Sequence, residues 1–168
     1  MLETWAKGYT KAELDAAQEM FGLVFPPDLV TLFLEKRPLN GHDWRDEASI
    51  RKMLSWPFET LQFDVENNAL WWTEWGQRPK EVEDRENLLR QVLMKAPRLI
   101  PLYSHRFLPE APQEADNPVF SVYGADTVIY GANLEDYFKR EFSSFDNKPR
   151  PRNLKYIPFW SELVERNC

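Results

Sequence analysis

The hydrophobic period of this chain changes at Pro97, and that change limits its architecture more than any other feature. Before that proline, apolar residues recur at three- and four-residue spacing, the mark of amphipathic helices. Thr10 followed by Glu13 is a capping-box pattern; Leu14, Ala17 and Phe21 then share a face, and Gly22 is placed to end the helix. "FPPDLVTLFLEKRP" restarts a helix with proline in its first turn, and Leu29, Leu32, Phe33 and Lys36 keep the spacing until Pro38. After the turn "RPLNGHDW", Asp46 is placed to cap a short helix carrying Ile50, Met53 and Leu54. "PKEVEDRENLLRQVLMKAP" is the clearest helix, with acids in its first turn and Lys95 in its last, as the helix dipole favours. Val82, Leu89, Val92, Leu93 and Ala96 form its apolar side.

After Pro97 the period shortens to two. "RLIPLYS" (98–104) reads as a strand, and "PVFSVYGADTVIYG" (118–131) as two strands turning at Gly124-Ala125. Asn133 then caps a helix with Leu134, Tyr137, Phe138 and Phe142 along one side. "FSSFDNKPRPRN" (142–153) is the longest loop, and "YIPFWSELVERN" a last helix with Trp160, Leu163 and Val164 inward. This order predicts an α+β domain: a mainly antiparallel sheet with helices on one side of it.

The 168 residues suit a single domain able to bury a core without metals or disulfides. One cysteine, Cys168, excludes a disulfide framework and fits a reducing cytoplasm. "MLETWAKGYTKAELD" has no apolar core of a signal peptide, and no apolar run approaches membrane-spanning length, so a cytoplasmic protein without a membrane partner is expected. The net charge is −6, and the densest basic stretch, "NKPRPRNLK" (147–155), is broken by prolines. Nucleic acid is therefore not the expected partner, whereas a basic protein surface suits the charge.

The stretch "FDVENNALWWTEWG" (63–76) concentrates carboxylates and tryptophans. Leu61, Phe63 and Val65 alternate as in a strand, which would put Asp64 and Glu66 on one face; Phe58, Leu61 and Val65 equally fit a helix after Pro57. Both readings of 57–66 stand at this level. Trp71, Trp72 and Trp75 cannot all face one way. The expected arrangement has Phe63, Val65 and Trp71 inward. Asp64, Glu66, Trp72, Glu74 and Trp75 then form an acidic–aromatic outer side for a partner.

Catalytic patterns are sparse. His42 and His105 lie far apart with no zinc-ligand spacing, and no calcium loop is present, so no metal is expected. No phosphate loop or dinucleotide fingerprint occurs, and no cofactor is expected. Ser104 beside His105 does not form a nucleophile–base pair if both sit on a strand, because neighbours there point to opposite faces. A small-ligand-binding protein or enzyme with a pocket built from Asp64, Glu66, His105 and Arg106 is the alternative to a binding surface. It requires those four side chains to converge.

"LIPLYSHRFLP", "NPVFSVYGADTVIYGANLEDYF" and "IPFWSEL" resemble the SUKH superfamily, the Smi/Knr-like family of bacterial immunity proteins and fungal cell-wall regulators. "FPPDLVTLFLEKRPLNG" is similar to that family's N-terminal proline–helix–Asn-Gly element. "FDVENNALWW" followed by "WG-x-RP" looks like a segment of one bacterial branch. The hairpin-to-helix run around Tyr130-Gly131 and Asp136-Tyr137 is the most specific part, and together these cover most of residues 25–165 within a single domain, 1–168. The resemblance implies an antiparallel sheet flanked by helices and a non-enzymatic domain that acts by binding, with no catalytic residues to carry over. The expected partner is a protein, in the immunity-type branch a cognate toxin domain with a basic surface. A regulatory scaffold is the reading that the fungal relatives imply.

Overall fold

The structure, a computed structural model, describes residues 4–143 and 154–167. In chain order the elements are β1 (Trp5–Lys7), α1 (Lys11–Phe21), α2 (Pro27–Glu35), β2 (Lys36–Pro38), α3 (Glu47–Asn67), a single 3₁₀ turn (Thr73–Trp75) and α4 (Val82–Met94). The second half adds β3 (Leu99–Tyr103), β4 (Arg106–Pro109), β5 (Val119–Ser121), β6 (Val128–Gly131), α5 (Leu134–Phe142) and α6 (Trp160–Arg166). Strands β3 to β6 form a four-stranded antiparallel meander, and β1 pairs antiparallel with β2 in a separate ribbon. This is an α+β fold.

Helices cover both faces of the main sheet, not one as the sequence order led us to expect. Ile100, Leu102, Leu108 and Val119 pack on Leu14, Leu29, Phe33 and Tyr137, which come from α1, α2 and α5. Leu99, Phe107 and Phe120 point the other way, onto Leu61 and Val65 of α3, Leu89 of α4, and Trp160 and Leu163 of α6. The reason is visible in β3 and β4, where consecutive residues are apolar and all but Tyr103 and Arg106 are buried. A strand with two apolar faces needs a cover on each.

The ambiguous segment 57–66 is helical. It continues the helix capped by Asp46, whose side chain accepts the Ser49 N–H, so the short helix expected there is the first half of a 21-residue α3. Pro57 lies inside it and is buried. Proline in a helix interior removes one backbone bond at substantial cost, and here burial on both flanks (Ile50 in one core, Leu61 and Val65 in the other) holds the helix through it. Four residues apart, Leu61 and Val65 share a buried face, while Phe63 is turned outward and 61% exposed. The inward placement of Phe63 is thus corrected.

Local signals elsewhere are realised. Thr10 and Glu13 form the reciprocal capping box, Gly22 ends α1 with φ +63°, and Asn133 caps α5 through the Asp136 N–H. Val82, expected inward, is exposed at the start of α4, and Lys95 is the C-cap of that helix. Lys36 belongs to β2, not to a helix. The short strands β1, β2 and β4 were not expected from alternation. Most of the loop expected over 142–153, and Cys168, lie outside the described residues. Among the described residues no helix is long and apolar enough to cross a membrane.

Candidate interaction surface

The acidic–aromatic stretch folds back on itself after α3. Ala69, with φ +57°, turns the chain, and the Leu70 N–H returns to the Asp64 carbonyl. Trp71 donates its indole N–H to the Gly76 carbonyl at 2.8 Å, and Trp72 stacks on Trp75 with centroids 5.3 Å apart. Trp72 is buried against Phe159, so its expected outward placement is corrected; Trp75 is half-buried and Glu74 exposed. The cation for this aromatic–acidic set comes from the same chain. The Arg166 guanidinium lies 4.0 Å from the Trp72 ring centroid and pairs with Glu74 at 2.9 Å and Glu162 at 2.8 Å. Hydrogen bonds from Arg166 hold both carboxyls below the usual carboxylate range, and those same bonds raise Arg166. A ring face with carboxylates at its margin is a fitting seat for a planar cation.

Glu66 is engaged differently. Arg85 grips it with two bonds, at 2.7 and 2.6 Å, and donates its remaining nitrogen to the Pro79 and Lys80 carbonyls. Arg78 donates to the Val65 carbonyl at 3.1 Å. The Arg85 hydrogen bonds hold Glu66 below the usual carboxylate range. This fork ties the end of α3 to the segment entering α4, which makes Glu66 an internal brace.

Asp64 serves a third place. On a helix, residues two apart point in widely separated directions, so Asp64 and Glu66 do not share a face. Asp64 accepts the Ala125 N–H at 2.7 Å and the Asn68 amide at 2.5 Å, which pins the β5–β6 turn to α3. Beside it runs a groove of about 350 Å³ lined by Glu59, Phe63, Asp64, Asn68, Tyr123 and Asp126. Phe63 is 61% exposed and Tyr123 56%, so two rings stand in solvent together with three carboxylates. Tyr123 is backed by Trp56, centroids 5.6 Å apart, and Trp56 is fixed by its indole N–H to the Val122 carbonyl at 2.6 Å.

His105 and Arg106 belong to yet another network. Ser104 and His105 form the two-residue turn between β3 and β4 and are not on a strand, so their side chains are not held to opposite faces as expected. They do touch: Ser104 Oγ lies 3.1 Å from His105 Nδ1. Arg106 decides what that contact can do. Its Nη1 donates to His105 Nε2 at 2.7 Å, so the neutral ring carries its proton on Nδ1 and donates it to Ser104. A ring in this tautomer cannot accept the serine proton, and an arginine stands where a triad places an acceptor. Burial, and then the charge of Arg106, lower the pKa of His105. Arg106 also donates to Ser121 Oγ at 2.8 Å, lies 3.9 Å from the Tyr130 ring centroid and faces Glu141 at 3.7 Å.

The four residues of the alternative pocket therefore sit in three separate hydrogen-bond networks: Asp64 on the β5–β6 turn, Glu66 on Arg85, and His105 with Arg106 over α5, with the His105 ring against Tyr123 at a centroid distance of 6.0 Å. Among the described residues no group of three or more His, Cys, Asp or Glu side chains is placed to hold a metal ion. Glu59, Tyr123, Asp126 and Arg166 were not singled out from sequence, and Phe63 was placed inward. For Phe63 a signal existed, since any helix that buries Leu61 and Val65 turns Phe63 out. For Arg166 the sequence offers only the local pairing with Glu162, because Trp72 and Glu74 are far away in the chain. The chain matches no family model, no curated protein and no solved structure.

Proposed function

We propose that this chain is a protein-binding domain of the SUKH type, and that it acts as an immunity protein by binding and covering a bacterial toxin domain. The observation that carries this reading is the groove between α3 and the β5–β6 turn. There Phe63 and Tyr123 stand exposed beside Glu59, Asp64 and Asp126. Exposed rings that share one groove mark contact surfaces, since solvent exposure of large apolar side chains is unfavourable and aromatic residues supply much of the energy of interfaces. The surrounding acids, on a chain of net charge −6, favour a basic partner through steering and complementary charge. Of the residues expected at the interface, Asp64 lines this groove; Trp72 and Glu74 hold Arg166, Trp75 stacks on Trp72, and Glu66 braces the end of α3.

Co-expression with the polypeptide encoded by the neighbouring reading frame tests the reading. The wild-type chain is expected to restore growth of cells making that polypeptide and to co-purify with it. The double variant Phe63→Ala/Tyr123→Ala, folded by circular dichroism, is expected to do neither. Continued growth arrest with the wild-type chain and no complex would overturn the proposal. A stable complex with a harmless polypeptide would replace it with the scaffold reading.

A further inference from the structure

We propose that the groove between α3 and the β5–β6 turn receives an arginine side chain of the protein partner, an inference that rests on the protein-binding reading above and names the chemistry of its contact. The chain itself contains an occupied version of this site. Arg166 lies over the Trp72 ring at 4.0 Å, with Glu74 and Glu162 within 2.9 Å at its margin. The groove repeats the composition: rings from Phe63 and Tyr123, carboxylates from Glu59, Asp64 and Asp126, and, among the described residues, no basic residue in its lining. Neither Glu59 nor Asp126 is in a salt bridge among the described residues. One acidic–aromatic site is filled from within, and among the described residues no cation fills the other.

The walls of the groove are set before any partner arrives. Asp64 is fixed by the Ala125 N–H and Asn68, and Tyr123 by its edge contact with Trp56. Gly124, with φ +59°, lets the turn approach so closely that a Cβ there would meet Asp64 Oδ2 at 2.0 Å. Such preorganisation lowers the cost of binding. A guanidinium fits better than an ammonium. It is planar and weakly hydrated, stacks on rings and forks to carboxylates, whereas lysine is a strongly hydrated point charge. A metal ion does not suit the groove, because its carboxylates are not grouped as ligands.

The test uses the full chain with hexa-arginine and hexalysine peptides, followed by amide chemical shifts and calorimetry. Shifts are expected to concentrate on residues 59–68 and 123–126, with hexa-arginine binding about threefold or more tighter than hexalysine. Glu59→Gln/Asp126→Asn is expected to weaken hexa-arginine binding by about three- to tenfold. Glu83→Gln/Asp84→Asn, the same charge change at the exposed start of α4, is expected to weaken it by less than about twofold. Shifts spread over the acidic surface or centred on Trp72 would overturn the proposal. So would equal affinity for the two peptides, or equal loss in the two double variants. If those results appeared while the chain still neutralised the neighbouring polypeptide, the arginine site would fall and the protein-binding reading would stand. Localised arginine binding without neutralisation would uphold the groove as an arginine site and remove the immunity role.

Discussion

Asp64 reaches across 61 residues of sequence to accept the Ala125 N–H at 2.7 Å, and this bond joins the end of α3 to the β5–β6 turn. The approach is possible because residue 124 is glycine. Its φ of +59° is a left-handed conformation, and an added Cβ would meet Asp64 Oδ2 at 2.0 Å and the Thr60 carbonyl at 2.8 Å. Gly124→Ala is therefore expected to destabilise the fold by roughly 1–3 kcal/mol, from backbone strain and the clash together. Asp64→Ala removes the hydrogen-bond acceptor, at an expected cost of about 1–2 kcal/mol. Because Asp64→Ala also clears the nearer obstacle, the double variant is expected to lose less than the sum of the single losses. Urea denaturation of the four proteins in a double-mutant cycle measures this coupling, and strict additivity would mean that the two residues act independently.

The helical reading of 57–66 makes a sharp contrast between two residues two positions apart. On a strand Leu61 and Phe63 would share a face and both would matter; on α3 Leu61 is fully buried while Phe63 is 61% exposed. Leu61→Ala is expected to cost about 2–5 kcal/mol, whereas Phe63→Ser is expected to stay within about 0.5 kcal/mol. Equilibrium unfolding of the two variants checks this directly. Comparable losses would contradict the helix.

What could be read from the sequence was local. The capping box at Thr10 and Glu13, the Asn133 cap and the Gly124-Ala125 turn depend on residues within a few positions of each other, and each is realised. The arrangement around 63–76 was not legible, because its determinants are distant. Trp72 looked like an outward ring until Phe159 and Arg166 came to cover it. Arg85, in the polar run "VEDRENLL", carries no local sign of burial, yet it is buried because Glu66 and two carbonyls from the preceding loop saturate its guanidinium. Phe63 was misplaced for a different reason: Leu61-x-Phe63-x-Val65 satisfies a period of two, and a helix through Pro57 goes against local preference.

Arg166 is expected to hold α6 against the Trp72–Trp75 stack. Arg166→Met keeps an apolar stem but removes the cation that Glu74 and Glu162 share. In protein labelled with 5-fluorotryptophan, the Trp72 resonance is expected to move most. Those of Trp5 and Trp44, which pack in the opposite core, should stay in place. The melting temperature is expected to fall modestly. An unmoved Trp72 resonance would show that Arg166 does not sit on that ring in solution.

The two histidines make stability depend on pH in a direction that can be worked out. His42 donates from Nε2 to the Ser104 carbonyl at 2.6 Å, and burial lowers its pKa. His105 is lowered by burial and by Arg106, whose Nη1 donates to its Nε2, so its protonation would remove an acceptor and set two cations side by side. Both folded pKa values thus lie below the usual histidine value of about 6.5. The unfolded chain takes up these protons first as pH falls, so their contribution is fully present above pH ~6.5 and is lost as pH drops through the folded values. Urea midpoints are expected to be level from pH 8 to 7 and to decline below about 6.5, before the carboxylates protonate. His105→Gln, which keeps a neutral acceptor facing Arg106, is expected to flatten the decline, and His42→Asn/His105→Gln to flatten it further. A decline of the same steepness in the double variant would assign it to other groups.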